Sequence, residues 1–200
     1  MKKLVLLLFI PLFSFSSFGQ LDSSSNSLKS IFDRDINKYT LAEYQGNWDE
    51  FFKLQDKRFL EINSKEEQIQ SSESMRNFMI INFPNRVKVK RLSKEFKFEE
   101  YVYYQVFFEG DLQIKVVDKS IDINEIEETV KFLFLSKSDS YKYDKISQSF
   151  SFSAYKDSMV ASKKIGNNNW EYIKLSTIPE YNTIFEKFLP AEFLKNWKYE

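Results

Sequence analysis

Histidine is absent from all 200 residues. Without an imidazole, Ser-His-Asp and Cys-His catalysis are excluded, as are the usual His-ligated zinc and iron sites. Acid–base chemistry near neutral pH then falls to an Asp, Glu, Lys or Tyr of displaced pKa. Cysteine is also absent, so no disulfide forms and no lipid is attached through a thiol. Glycine is scarce: beyond residue 19 only Gly46, Gly110 and Gly166 remain, and they make no Walker-type or dinucleotide-binding pattern. Neither sign of charge dominates, with 29 Lys+Arg against 29 Asp+Glu. That balance argues against general nucleic-acid binding, which depends on neutralising phosphates.

The first nineteen residues read as an address. Lys2 and Lys3 precede an apolar run from 4 to 15, and Ser17-Phe18-Gly19 places small residues at the −3 and −1 positions of a cleavage site. The run is too short to settle as a spanning helix. Residues 1–19 are therefore expected to be a signal peptide cut after Gly19, sending the protein to the periplasm or the medium. Loss of Lys2 and Lys3 leaves 27 basic against 29 acidic residues, a formal charge of −2. No second apolar segment of spanning length follows. With no cysteine the fold must stand on packing, for which 21 Phe and 11 Tyr supply much buried area.

Residues 20–27 (LDSSSNS after Gln20) predict a flexible polar lead, and 28–200 a single domain. Leu28, Ile31, Phe32, Ile36 and Tyr39 recur at helical spacing, predicting a helix to Tyr44 capped by Gly46. Asn47 with Glu50, and Ser64 with Glu67, are capping-box pairs opening two more helices, the second with Ile69, Met75 and Phe78 inward. Phe59, Leu60 and Ile62 read as a brief extended piece. From Asn85 the period becomes two, with Val87 and Val89 alternating with Arg86, Lys88 and Lys90, and a bulge expected near Leu92. The segment 98–118 predicts two long strands folded at Glu109-Gly110-Asp111. Its first half is apolar on both faces, which calls for cover on both. A polar connection at 119–128 precedes a strand with Val130, Phe132 and Phe134 on one face and Leu133 and Leu135 making the other apolar too. Phe150, Phe152 and Ala154 alternate inward against serines, 158–165 pairs back, and 170–175 is the last strand. Pro179 and Pro190 suit helix N1 positions and open two short closing helices. This order predicts an α+β fold, with helices gathered on one face of an antiparallel sheet.

The Gly46-Asn47-Trp48-Asp49 turn, the helix-led start and the long aromatic strands resemble a nuclear-transport-factor-like cone fold of the SnoaL and ketosteroid-isomerase kind. Within that group the chain is similar to uncharacterised exported bacterial proteins. The likeness takes in 158–164, 169–173 and Phe188-Leu189-Pro190. It implies N-terminal helices on a strongly curved antiparallel sheet with a pocket at the cone's mouth. Enzymatic relatives commonly use an Asp with a His or Tyr, and the His is missing here.

Six aromatic residues, Trp48, Tyr101, Tyr103, Tyr104, Trp170 and Tyr172, are candidates to line that pocket, since Tyr and Trp carry a polar tip on an apolar body. They are equally accounted for as core. Asp118, Asp122, Asn124 and Glu125 lack the spacing of a calcium loop and read as solvated. Asp33 and Asp35 lie about 200° apart on a helix and do not share a site. Arg86, Lys88, Lys90, Arg91, Lys94 and Lys97 read as a charged guard on an edge strand, or as a face for an anionic partner. No cofactor is implied. The expectation is an exported, non-catalytic domain, monomer or dimer, that binds a small apolar molecule or an envelope protein through its pocket. The alternatives are a surface-interaction or structural envelope protein and a His-free isomerase or hydratase.

Overall fold

Two strands of 16 residues set the length of the molecule. In the computed structural model, which describes residues 17–175 and 182–197, the elements run α1 (Ser17–Gln45), α2 (Trp48–Leu54), α3 (Lys57–Ile62), α4 (Lys65–Phe78), β1 (Met79–Asn82), β2 (Lys88–Leu92), β3 (Phe96–Phe98), β4 (Tyr101–Val116), α5 (Ile123–Phe134), β5 (Ser140–Asp144), β6 (Ser149–Lys164), β7 (Glu171–Ile173), α6 (Asn182–Phe185) and α7 (Ala191–Lys195). β4 and β6 pair antiparallel along almost their whole length, from Tyr101 opposite Lys164 to Lys115 opposite Ser149. At about 3.3 Å per residue each spans roughly 53 Å. Short strands line both flanks end to end: β1, β2 and β3 along β4, and β5 and β7 along β6. The result is α+β with an open seven-stranded antiparallel sheet.

The expected fold-back at Glu109-Gly110-Asp111 is not there. β4 runs straight through, and the register shifts between Gly110 and Leu112, so that Asp111 faces both Ser153 and Ala154. The residues that look like a turn serve a bulge. Ala154 takes the left-handed conformation (φ 49°), and its N–H donates to Asp111 Oδ1 at 3.3 Å. The extra residue moves Ala154 off the inward row and puts Tyr155 there, buried beside Phe150 and Phe152. Gly110 does not have positive φ; what it provides is room. A Cβ there would sit 2.8 Å from Val87 Cγ1 and 3.2 Å from Phe83 Cδ1.

Strand alternation then fixes what each face meets. Val102, Tyr104, Val106 and Phe108 share a core with Phe32, Ile36 and Tyr39 of α1 and Phe51 and Phe52 of α2. Further along the same face, Leu112, Ile114, Val116, Phe150 and Phe152 pack under α5. On the opposite face Tyr103, Val160 and Ile173 cluster with Leu175, Phe185, Leu189, Phe193 and Trp197 of the C-terminal segment. The C-terminal segment thus provides the second cover that the two-faced apolar run requires, and the helices lie on both faces of the sheet and not, as expected, on one. Each such fully buried side chain contributes about 1.5–3 kcal/mol of transfer free energy. The far end of that second face, with Lys115, Lys142 and Ser151, is exposed.

Several boundaries differ from expectation for local reasons. Residues 20–27 are helical, because extending an existing helix costs far less than starting one. Residues 57–62 form α3 and not an extended piece, since Asp56 accepts from the Arg58 N–H as N-cap. The expected strand around Val130 is helix α5. Asp122 caps it, and Ile123, Ile126, Val130 and Phe134 make its buried stripe, while Phe132 is 83 % exposed. Met75 and Phe78 of α4 are half exposed, not inward. β1 and β5 were not expected. The Ser64–Glu67 capping box is complete; at α2 only Asn47 accepts, from the Glu50 N–H. The bulge in β2 falls between Val89 and Arg91, before Leu92. Pro190 is the N-cap of α7, one position before N1, and Pro179 lies outside the described residues.

α1 also shields the edge of the sheet. Asp33 Oδ1 accepts from the Val89 N–H at 2.6 Å, and the Asn37 amide both accepts from the Val87 N–H and donates to its carbonyl at 2.9 Å. Side chains of a helix thus take the place of a neighbouring strand for β2.

Candidate functional site

Between the two halves of the helix-covered face the cover is incomplete, and a cavity of about 510 Å³ remains. It is walled by the C-terminal part of α1 (Tyr39, Glu43, Tyr44), α4 (Met75, Arg76), β1 and Phe83, the turn after α5 (Lys137), and the floor strands β4 and β6 (Phe108, Tyr155, Asp157, Met159). Its volume lies within the roughly 300–1,000 Å³ usual for small-molecule sites. Of the four methionines in the chain, Met75, Met79 and Met159 all border it; the fourth is Met1. Thioether side chains adapt their shape to what they meet.

The polar groups converge on Asp157. It is buried in mid-strand on β6, on the face turned toward the cavity. Lys174 Nζ lies 3.0 Å from its Oδ2, Lys137 Nζ 3.8 Å from Oδ1, and the Tyr155 hydroxyl donates to Oδ2 at 3.5 Å. The Ser158 N–H donates to Oδ1 at 2.9 Å. The negative charge of Asp157 holds the Lys174 ammonium above its ordinary pKa, against the opposing effect of burial. Burial first, and then Asp157, raise the Tyr155 phenol. Glu43 borders the same space, and burial raises its carboxyl pKa, with Lys174 pulling the other way. Glu43 and Lys174 have much open surface, 47 % of the side chain for Lys174, and both line the cavity.

The six aromatics predicted for the pocket lie elsewhere. Tyr104, Trp170 and Tyr172 gather around Phe32 of α1 at ring separations of 6.0, 5.0 and 6.2 Å. The Tyr172 hydroxyl donates to buried Asp35 at 2.9 Å. The Tyr104 hydroxyl donates to Glu95 at 3.0 Å, and burial together with that carboxylate pushes its pKa up to about 12. Tyr101 and Tyr103 are on the opposite face, with the Arg58 guanidinium 3.9 Å from the Tyr101 ring centre and donating to the Tyr103 hydroxyl at 2.7 Å. Trp48 packs on Phe51 and Phe52 of α2. None of the six lines this cavity.

The other candidates resolve into local chemistry. Asp118 accepts from Ser120, Asp122 caps α5, and no metal-binding cluster of His, Cys, Asp or Glu occurs among the described residues. In the basic stretch, Lys90 pairs with Glu109 and Lys97 with Glu95, both at 2.9 Å, and Arg91 lies 3.6 Å over the Phe107 ring. Among the described residues no helix is long and apolar enough to cross a membrane.

The residues missed are Glu43, Lys137, Tyr155, Asp157 and Lys174. Their signal was weak but present. Lys156-Asp157 reads as a turn only if the strand is cut there; in a continuous strand an Asp among Tyr155, Met159 and Ala161 is a charge on the inner face. Lys174 is likewise a lysine on the inner row with Trp170 and Tyr172. Compared with protein-family models, curated proteins and solved structures, the chain gave no match.

Proposed function

We propose that this chain is an exported, non-catalytic small-molecule-binding domain whose ligand sits in the cavity between α1, α4, the end of α5 and the sheet. The observation that carries the reading is the cavity itself: a space of about 510 Å³ with mainly apolar walls, three methionines and one convergent set of charges around Asp157. Such a pairing of apolar surface with a few placed polar groups is how small-molecule sites combine affinity and orientation. Export rests on the Lys2–Lys3 start, the apolar run and Ser17-Phe18-Gly19. The likeness to nuclear-transport-factor-like proteins belongs to the same proposal: it implies N-terminal helices on a strongly curved antiparallel sheet with a pocket at the cone's mouth, and the packing of α1 and α2 on the sheet supports it. Native mass spectrometry of the protein purified from its own host's envelope tests the reading. A bound mass of small-molecule size, lost on denaturation, is the expected result; a clean apo protein at full occupancy of the signal would sink it.

One observation favours a second reading, a His-free isomerase or hydratase. The Tyr155 hydroxyl is 3.5 Å from the buried Asp157 carboxylate within the cavity, beside Glu43 with its raised pKa. A carboxylate and a phenol in reach of one ligand can move a proton. Deuterium from heavy water entering the released molecule, and failing to enter it with Asp157→Asn, would establish that reading.

A further inference from the structure

Building on the cavity as a binding site, we infer that its ligand is an amphiphilic anion: an apolar chain ending in a carboxylate-like group that sits between the ammonium groups of Lys174 and Lys137. The argument is one of charge and shape. Two lysines face one buried carboxylate, at 3.0 and 3.8 Å, so the triplet carries one positive charge more than it neutralises. Asp157 has further partners in the Ser158 N–H and the Tyr155 hydroxyl, so its own acceptor capacity is largely used. The unmatched charge is on the cation side, beside a buried Asp157 and a Lys137 with only 14 % of its side chain open. Arg76, also on the wall, adds another cation, with Nη1 donating to the Glu43 carbonyl at 3.3 Å. Glu43 is the one other acid on the wall; counted as ionised it is matched by Arg76, so three cations still face two carboxylates.

Much of the remaining lining is apolar. From Asp157 the floor continues as Met159 and Phe108, and the walls as Met79, Ile81 and Phe83, which offer nothing to a polar tail but suit a flexible hydrocarbon. Tyr44 and Met75, both exposed, also line the cavity. A cationic or zwitterionic head would meet the lysines, and a neutral head would leave the excess charge unanswered.

The test is calorimetric titration of the full-length mature protein at pH 7.5 with three probes of one chain length: dodecanoate, dodecanol and dodecylammonium, each below its aggregation limit. We expect dodecanoate to bind at least ten-fold more tightly than dodecanol, and dodecylammonium most weakly. Lys174→Met should bring dodecanoate down to the affinity of dodecanol and leave dodecanol unchanged, and Lys137→Met should do the same in part. Equal binding of all three, or a preference for the amine, overturns the head-group assignment and leaves the cavity reading standing. Binding of none, with the bound mass also missing from native spectra, overturns both. The comparison of the three probes on the unaltered protein needs no variant to fold.

Discussion

Asp56 is the residue whose loss should be felt most. It is fully buried where α3 meets the sheet, and four donors converge on it. The Arg58 N–H and Nε reach Oδ1 at 2.9 and 3.0 Å, and Arg58 Nη2 and the Ser162 hydroxyl reach Oδ2 at 2.5 Å each. Asp56→Ala removes the helix cap, worth about 1 kcal/mol, and leaves the Arg58 guanidinium without its carboxylate, a loss of about 3–5 kcal/mol for a buried pair. Arg58 has 19 % of its side chain open and keeps Tyr103, so the lower end applies. The two losses share one carboxylate and do not add in full. The expected destabilisation is about 3–4 kcal/mol, or a fall in Tm of roughly 6–16 °C for a chain of this size. Urea unfolding followed by tryptophan fluorescence measures it, with an unchanged m-value showing that the folded and unfolded states are the same. Arg58→Met added to Asp56→Ala should cost less than about 1 kcal/mol more, because the charge that suffers has gone. A loss below about 1 kcal/mol for Asp56→Ala alone would refute the reasoning.

Three further outcomes follow from the fold. Gly110→Ala should destabilise by about 1–3 kcal/mol through its clash with Val87, and Val87→Ala in the same protein should recover part of that, as overpacking requires and a turn conformation would not. In α5, Val130→Ala should cost about 1–2 kcal/mol and Phe132→Ala less than about 0.5 kcal/mol in the same urea assay, since one side chain is 2 % exposed and the other 83 %; equal costs would mean that 123–134 is a strand. Because burial raises the folded pKa of Glu43 above its ordinary 4.5, ionising it is unfavourable in the folded state, and stability present below about pH 4.5 is lost as pH rises through the raised value. Glu43→Gln should therefore be no different at low pH and more stable than the parent at pH 7, read from paired denaturation curves.

Much of the fold was legible in residue spacing. The α1 stripe of Phe32, Ile36 and Tyr39, the Ser64–Glu67 capping box and the alternation around Val87 and Val89 are local patterns with one physical solution. What misled was punctuation. Gly110 with its flanking acids, and Lys156-Asp157-Ser158, carry turn chemistry, but the first makes a bulge and the second lies within an unbroken strand. Nothing local distinguishes these cases, because the long pairing of β4 with β6 decides them. The α5 error had another cause: Phe132 and Leu133 sit exposed among buried neighbours, so the run looked apolar throughout and its helical stripe was hidden. The site was lost with the strand. Once β6 is cut at Asp157, that residue becomes a loop acid, and the charges that meet it from Lys137 and Lys174 have no common centre. Of the aromatic candidates, Tyr103, Tyr104, Trp170 and Tyr172 are buried in the core, where large aromatic side chains supply much area.

The most direct measurement of the central claim uses the methionines. With 13C-labelled methyl groups the protein gives signals from Met75, Met79 and Met159, on α4, β1 and β6, and all three border the cavity. Titration with dodecanoate should move the three together and saturate at one equivalent. If all three stay in place while the probe is shown to bind, the ligand is not in this cavity and the account is wrong.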